Sequence, residues 1–454
     1  MSSEANAAVG KLPSIEPCQV YKYRWVVLII FVFYSASNAM QWIQYSIVAD
    51  VVEKFYGVSS TFVDWTSMIY MVLYIPFIFP GSYMLDKLGL RVAVLIGMTG
   101  TCLGTWVKVA SVAPDRFWVG FLGQTIIALS QVFILSVPAR LAAVWFGPNQ
   151  VSSACSIGVF GNQIGIAIGF LIPPLIVSGN GITGIKEHDF YIMFISYGIA
   201  TSLILLLVIF CKYCVSRFIL GNTKILVFKK EPPTPPSHAQ VQIQPVEGSN
   251  TKFLDSIKKL LINRSYMLLL ISYGINVGIF YAISTLLNQI ILKHYPGGEI
   301  DAGRIGLLIV LAGMVGSIVC GIILDKFHRF KETTLAVYAF SLIGMIVFTF
   351  TLDSGIEVVY VTSALLGFFM TGLLPVGFEL AAELTYPEPE GTSAGLLNAA
   401  CQIFGIAFTS LYSVVLNELG DIWANVIMCS MLILGTIFCA CIQSDLKRQA
   451  AQNK

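Results

Sequence analysis

A spacing of 239 residues recurs through this chain. It separates Trp42 from Tyr281, Asp86 from Asp325, Pro148 from Pro387 and Gln163 from Gln402. The contexts match as well. Asp86-Lys87 and Asp325-Lys326 both follow a hydrophobic run, and Gln163-Ile164 and Gln402-Ile403 both lie in glycine- and alanine-rich stretches. One chain is therefore built from two similar halves. In an apolar protein, such symmetry points to transport, with the binding site where the halves meet.

The chain is apolar enough for that argument. Of its 454 residues, 56% are hydrophobic and 11% charged, and the mean hydropathy is +0.79. This excludes a soluble globular domain of comparable size. Twelve runs are long enough to cross a bilayer, which takes roughly 20 residues per helix: 25–47, 63–85, 92–112, 117–145, 151–177, 189–211, 266–291, 303–324, 332–352, 357–378, 392–416 and 422–443. The fourth contains Pro138 and is expected to kink, and Pro173-Pro174 is expected to break the outer end of the fifth.

The expected fold is an all-α polytopic membrane protein, with twelve transmembrane helices in two six-helix, pseudo-symmetric halves. Residues 1–24 form an N-terminal tail, 25–212 the first half, 213–265 a linker, 266–443 the second half and 444–454 a C-terminal tail. With the N-terminus inside, 21 Lys and Arg face inward and 6 outward, so the positive-inside rule places both termini and the linker in the cytosol. The first 24 residues lack the pattern of a cleaved signal peptide, and the first membrane helix is expected to do the targeting. Within the linker, Phe253, Leu254, Ile257, Leu260 and Leu261 share one helical face opposite Lys258 and Lys259. That stretch is either an amphipathic helix on the inner leaflet or an extension of the seventh helix.

Two constellations carry chemistry. Asp86-Lys87-Leu88-Gly89-Leu90-Arg91 and its echo Asp325-Lys326-Phe327-His328 resemble the signature loop of the major facilitator superfamily, G-x-x-x-D-[RK]-x-G-x-[RK]. Ser82 stands where the leading glycine belongs in the first copy, and His328 replaces the second glycine in the other. Asp86, Lys87, Arg91, Asp325 and Lys326 are the expected gating residues, a charged latch on the cytosolic side. The second constellation lies at mid-depth: Asn38, Trp42, Gln163, Tyr281 and Gln402 on helices one, five, seven and eleven. A polar amide in lipid is costly unless it faces a cavity or another helix. No ionisable residue falls near the middle of any run, so proton coupling lacks its usual carrier. A cation would then be held by aromatic faces, with a hydroxyl on it bonding to Asn38 or the glutamines.

Further strings sharpen this reading: Asn38-Ala-Met-Gln-Trp42, Phe160-Gly-Asn-Gln163, Phe280-Tyr281-Ala282, Ser284-Thr-Leu-Leu-Asn288 and His294-Tyr-Pro-Gly297. Together they resemble the feline leukemia virus subgroup C receptor-related family, the heme/choline transporter branch of the superfamily, over nearly the whole membrane portion. The resemblance implies a uniporter for choline and ethanolamine. It implies an ammonium held between Trp42 and Tyr281, amide contacts from Asn38, Gln163 and Gln402, and wall positions at Met71 and Phe280.

The alternative within that family is a heme transporter. Its difficulty is that the four histidines, 188, 238, 294 and 328, all fall in loops or the linker. A receptor or scaffold without transport would call for a larger extramembrane domain. An enzyme would call for a catalytic cluster, and none is visible. No cofactor, metal or nucleic acid is implied. The expected partners are a small cationic substrate or heme and the lipid bilayer, in a monomer of the plasma membrane.

Overall fold

The computed structural model describes residues 23–135, 137–146, 150–177, 187–218, 249–327, 329–386, 388 and 390–443. The two tails, most of the linker and the Pro148/Pro387 pair lie outside the described residues. The regular structure described is helical: α1 (Arg24–Ala39), a 3-10 turn (Ser46–Val48), α2 (Ala49–Tyr56), α3 (Ser60–Leu88), α4 (Leu90–Val109), α5 (Phe117–Leu135), α6 (Val137–Trp145), α7 (Val151–Ile176) and α8 (Glu187–Phe218) form the first half. A linker helix, α9 (Ser249–Ile262), precedes the second half, α10 (Arg264–His294), α11 (Glu299–Phe327), α12 (Phe330–Thr351), α13 (Ile356–Thr385), α14 (Glu390–Glu418) and α15 (Asp421–Ala440). Eleven of the described helices are long and apolar enough to cross a membrane.

The twelfth crossing departs from the continuous run expected over 25–47. The α1 helix has 16 residues, about 24 Å at 1.5 Å per residue, which is short of a bilayer core of roughly 30 Å. It unwinds after Ala39, and the crossing is completed by turns through Tyr45 and the 3-10 turn. The fourth run is described as α5 and α6; residue 136, beside the kink expected at Pro138, lies outside the described residues. In the fifth, α7 runs through Pro173 and Pro174 to Ile176, so the expected break does not occur there. Pro174 has no N–H for the Phe170 carbonyl four residues back. That carbonyl instead faces Gly303 of α11, where an added Cβ would lie 2.6 Å from it.

The packing repeats with the sequence. In the first half α1 packs on α7, α3 on α5, and α4 on α5 and α8. In the second, the corresponding pairs recur: α10 on α14, α11 on α13, and α12 on α13 and α15. Small residues allow the closest approaches. Gly161 and Gly165 set α7 against Val32 and Ala36 of α1, and Gly169 sets it against Met40 just beyond α1, while Gly274 and Gly278 set α10 against Phe404 of α14. The halves meet through α7 on α11 and α3 on α14, two contacts that the pseudo-twofold axis exchanges. Outward faces such as Leu203, Leu206 and Leu207 of α8 and Val315, Ile318 and Ile322 of α11 are exposed and apolar, as a lipid-facing surface requires.

Candidate substrate site

The unwound stretch of the first crossing frees backbone groups inside an apolar bundle, and each needs a partner. Below, "outer" means the end that the charge distribution marks as external. Gln124 of α5 donates to the Gln41 carbonyl at 2.8 Å. From the other half, Asn288 of α10 donates to the Ile47 carbonyl at 2.9 Å. Gln41 donates to the Ser37 carbonyl at 3.0 Å and accepts from Thr105 at 3.0 Å. Beneath them lies Lys108, fully buried. Its Nζ donates to Gln44 at 2.6 Å and to Gln124 at 3.0 Å and stands 5.5 Å from the ring centroid of Tyr45. Glutamines and a buried lysine thus replace the lost helical hydrogen bonds.

Unwinding turns Trp42 out of register with Asn38. The two do not share one helical face, because α1 ends between them. Asn38 faces its own half, donating to Thr101 Oγ1 at 3.0 Å and the Ile127 carbonyl at 3.1 Å, while its Oδ1 is buried without a partner. Trp42 instead meets Tyr281 across the boundary, with ring centroids 5.4 Å apart and planes at 72°. Phe280 lies 6.2 Å from Tyr281, centroid to centroid, and the Tyr281 hydroxyl interacts with Gln402. Met71 closes the wall: a Cβ added at Gly405 would lie 2.9 Å from both Met71 Sδ and Tyr281 Cδ2. Gln163 sits two turns from Phe170 on the face of α7 that meets α11, and its Oε1 is buried without a partner.

Tyr281, Trp42, Phe280, Gln402 and Met71 are therefore brought together, Gln163 lines the same boundary, and Asn38 is turned aside. Gly405, Tyr74 and Cys401, which also neighbour Tyr281, were missed. Only the three-residue step from Gln402 to Gly405 could have flagged one of them, because helical residues three apart share a face.

Above the aromatic pair the halves are joined by hydrogen bonds. Asp64 of α3 accepts from Gln289 of α10 at 2.7 Å and from Ser413 of α14 at 2.7 Å. Ser67 and Thr285 meet at 2.9 Å. Asp64 is buried, so its place near the end of a helix did not make it a surface charge.

Of the expected latch, the side chains of Asp86, Lys87 and Asp325 lie outside the described residues. Arg91 is half-buried and Lys326 exposed. Gly89 has φ 83°, a conformation that favours glycine, and lets α3 turn directly into α4. The linker stretch is a separate helix rather than an extension of the seventh: α9 stops at Asn263, whose side chain accepts from Tyr266 N to cap α10. Ser256 and Lys259 of α9 donate to Glu388 and hold its carboxyl below the ordinary value.

The sequence pattern of the Major Facilitator Superfamily matches residues 26–410. The zebrafish (Danio rerio) choline/ethanolamine transporter flvcr2a is 50% identical over 446 residues, 98% of this chain and 91% of its own. The choline/ethanolamine transporter FLVCR1 of the cat (Felis catus) is 50% identical over 427 residues, 94% of this chain and 73% of its own. Among solved structures, a D-xylose-proton symporter superposes with a TM-score of 0.72 at 12% identity, covering 94% of this chain and 99% of that one. At that identity it speaks for the fold alone.

Proposed function

The chain belongs to the major facilitator superfamily and, within it, to the feline leukemia virus subgroup C receptor-related family, and on that premise we propose that it is a facilitative transporter of choline and related amines such as ethanolamine. The observation that carries the reading is the Trp42–Tyr281 pair. Two electron-rich rings from opposite halves, Trp42 buried and Tyr281 half-buried at the boundary, met by the Gln402 amide, make a seat for a quaternary ammonium group, with each face contributing about 0.5–2 kcal/mol. Because each half supplies one ring, rocking the halves makes and breaks the seat, which is what alternating access asks of a central site.

Transport is uniport. The buried carboxylate of Asp64 bonds to Gln289, eight residues beyond Tyr281 on α10, or about 12 Å further out. It is bound up in the contact between the halves. An inside-negative potential by itself draws one positive charge inward by about 2.3 kcal/mol per 100 mV. The protein acts as a monomer in the plasma membrane with both termini cytosolic, its halves spanning 25–212 and 266–443, and it is not an enzyme. Gln163 presents its free carbonyl oxygen to the substrate. Heme draws no support from the described histidines: His188 is exposed, and His294 is bridged between Asp353 and Asp421.

The test is labelled choline uptake into vesicles holding the purified protein under an inside-negative potential, wild type beside Tyr281→Ala. Saturable uptake that grows with the potential, and that needs a higher choline concentration in the variant, is expected. Wild-type vesicles that take up no more than empty ones would overturn the reading.

A further inference from the structure

The outer mouth gathers carboxylates from both halves directly above the join. Asp50 and Glu53 lie three residues apart on α2, hence on one face. Glu299 opens α11 in the other half and lies within electrostatic range of Asp50, while Glu53 is within range of both Asp50 and Asp64. The cation paired here, Lys54, stands 3.8 Å from Asp50 Oδ2 with its own side chain 70% exposed, so water and salt screen it.

A second observation is independent of charge. Asn288 is 1% exposed and lies beside Asp50. Its Nδ2 donates to the Ile47 carbonyl at 2.9 Å, and its side chain also hydrogen-bonds to the Asp50 carboxyl. Its buried Oδ1 has no partner. A buried acceptor without a donor is costly, and like charges in one site are favoured only when an opposite charge joins them. Both deficits are met by a group that is cationic, or that donates hydrogen bonds, seated between the halves.

We propose that Asp50, Glu53, Glu299 and the Asn288 carbonyl form an outer recruitment site for monovalent organic ammonium ions, one step before the aromatic pair. The site rests on the reading of this chain as a carrier of choline-like amines and adds the step by which the cation is gathered. Clustered charge of one sign in a cleft raises the local concentration of its counter-ion and the rate of its capture. Beneath the site, the cation meets Asn288 and the Asp64–Gln289–Ser413 group, then Ser67 and Thr285, then Trp42 and Tyr281. The site fills while the halves are joined below it and empties inward when they part.

The experiment uses purified full-length protein in vesicles and the variant Glu53→Gln/Glu299→Gln. Both changed residues are partly exposed and tolerate neutralisation. KM for labelled choline is expected to rise about 3- to 10-fold at low salt with Vmax retained, within the range that electrostatic capture supplies. Wild-type KM is expected to climb as salt rises from roughly 10 to 150 mM, where screening shortens from about 30 to 8 Å, while the variant's KM stays flat. For a passive carrier, Vmax/KM must fall by the same factor for uptake and efflux. A variant KM equal to wild type at low salt, with wild-type uptake intact, overturns the site and leaves the transport reading standing. If wild-type vesicles take up no choline, the transport reading falls, and a second readout decides the site by itself. Tetramethylammonium should protect Glu53 and Glu299 from carbodiimide labelling, and equal labelling with and without it overturns the proposal.

Discussion

Trp42 and Tyr281 hold the same place in the two repeats and meet edge to face across the boundary, 5.4 Å between ring centroids. A ring from each half means that neither half forms the seat alone. Trp42→Ala and Tyr281→Ala should each raise the choline KM about 2- to 30-fold, the equivalent of one lost aromatic face at about 0.5–2 kcal/mol. Tyr281→Phe keeps the ring and loses only the Gln402 contact, so it should fall nearer wild type. A concentration series of uptake on the three variants checks the order.

Gly405 sets how closely α14 approaches that pair. A methyl group there would press on Met71 Sδ and Tyr281 Cδ2 at 2.9 Å each, and Tyr281 has Trp42 on its other side. Gly405→Ala should therefore lower transport several-fold while leaving thermal stability near wild type, because Met71 has a flexible thioether that can yield. Paired uptake and melting measurements separate this from a folding defect, which would lower both.

Asp64 ties α3 to both α10 and α14. Asp64→Ala removes both bonds and leaves Gln289 and Ser413 without their acceptor, so the outer join should loosen. A cysteine placed at Thr285, beneath that join, should react faster with an impermeant thiol reagent in the Ala variant. Asp64→Asn retains one acceptor oxygen and should fall between. Equal labelling rates in all three backgrounds would show that Asp64 does not hold the outer end.

How much of this was legible in the sequence follows from what each signal measures. The repeat and the apolar runs carry the fold, because bilayer thickness sets run length and the repeat forces equal packing. They also delivered Trp42, Tyr281 and Gln402 to one place. The depth argument failed at Asn38 because it assumed an unbroken helix through Trp42. The unwinding is written in Gln41, Gln44, Gln124 and Lys108, four polar residues on three elements whose joint purpose appears only when they are packed together. Asp64 and Lys108 lie towards helix ends and so escape an argument from mid-depth, yet an ionisable group on a membrane helix is a signal in its own right. Gly405 carries no chemistry of its own, and its importance comes from neighbours on other helices.

The mouth carboxylates give the uptake a pH dependence with a definite sign. Burial first, and the neighbouring Glu299 second, push the Asp50 carboxyl above its ordinary value. Burial and Asp50 do the same for Glu53. A raised carboxyl takes up its proton at a higher pH than usual, so acidifying the outer solution should neutralise the mouth before exposed carboxylates titrate. The choline KM should therefore rise as external pH falls toward the carboxylate range, with Vmax less affected. Asp50→Asn/Glu53→Gln should start from a higher KM and lose most of that slope. An unchanged slope in the double variant would assign the pH response to other groups.

Lys108 offers the sharpest test of the unwound crossing. Removing a buried polar amine relieves the cost of keeping it from water, which argues that Lys108→Met should stabilise. Against this, Lys108 is the donor to Gln44 Oε1 and Gln124 Oε1, and a buried acceptor left unpaired costs about 1–3 kcal/mol. Gln124 cannot rotate away to find another donor, because its own Nε2 holds the Gln41 carbonyl. Turning it would orphan a backbone group freed by the unwinding, in a bundle where every such group needs a partner. The loss of donors should win, and Lys108→Met should melt below wild type and transport poorly. Lys54→Met, at an exposed lysine of α2, should melt as wild type does. A Lys108→Met protein that melts higher than wild type would mean that the glutamines support the unwound stretch without the lysine.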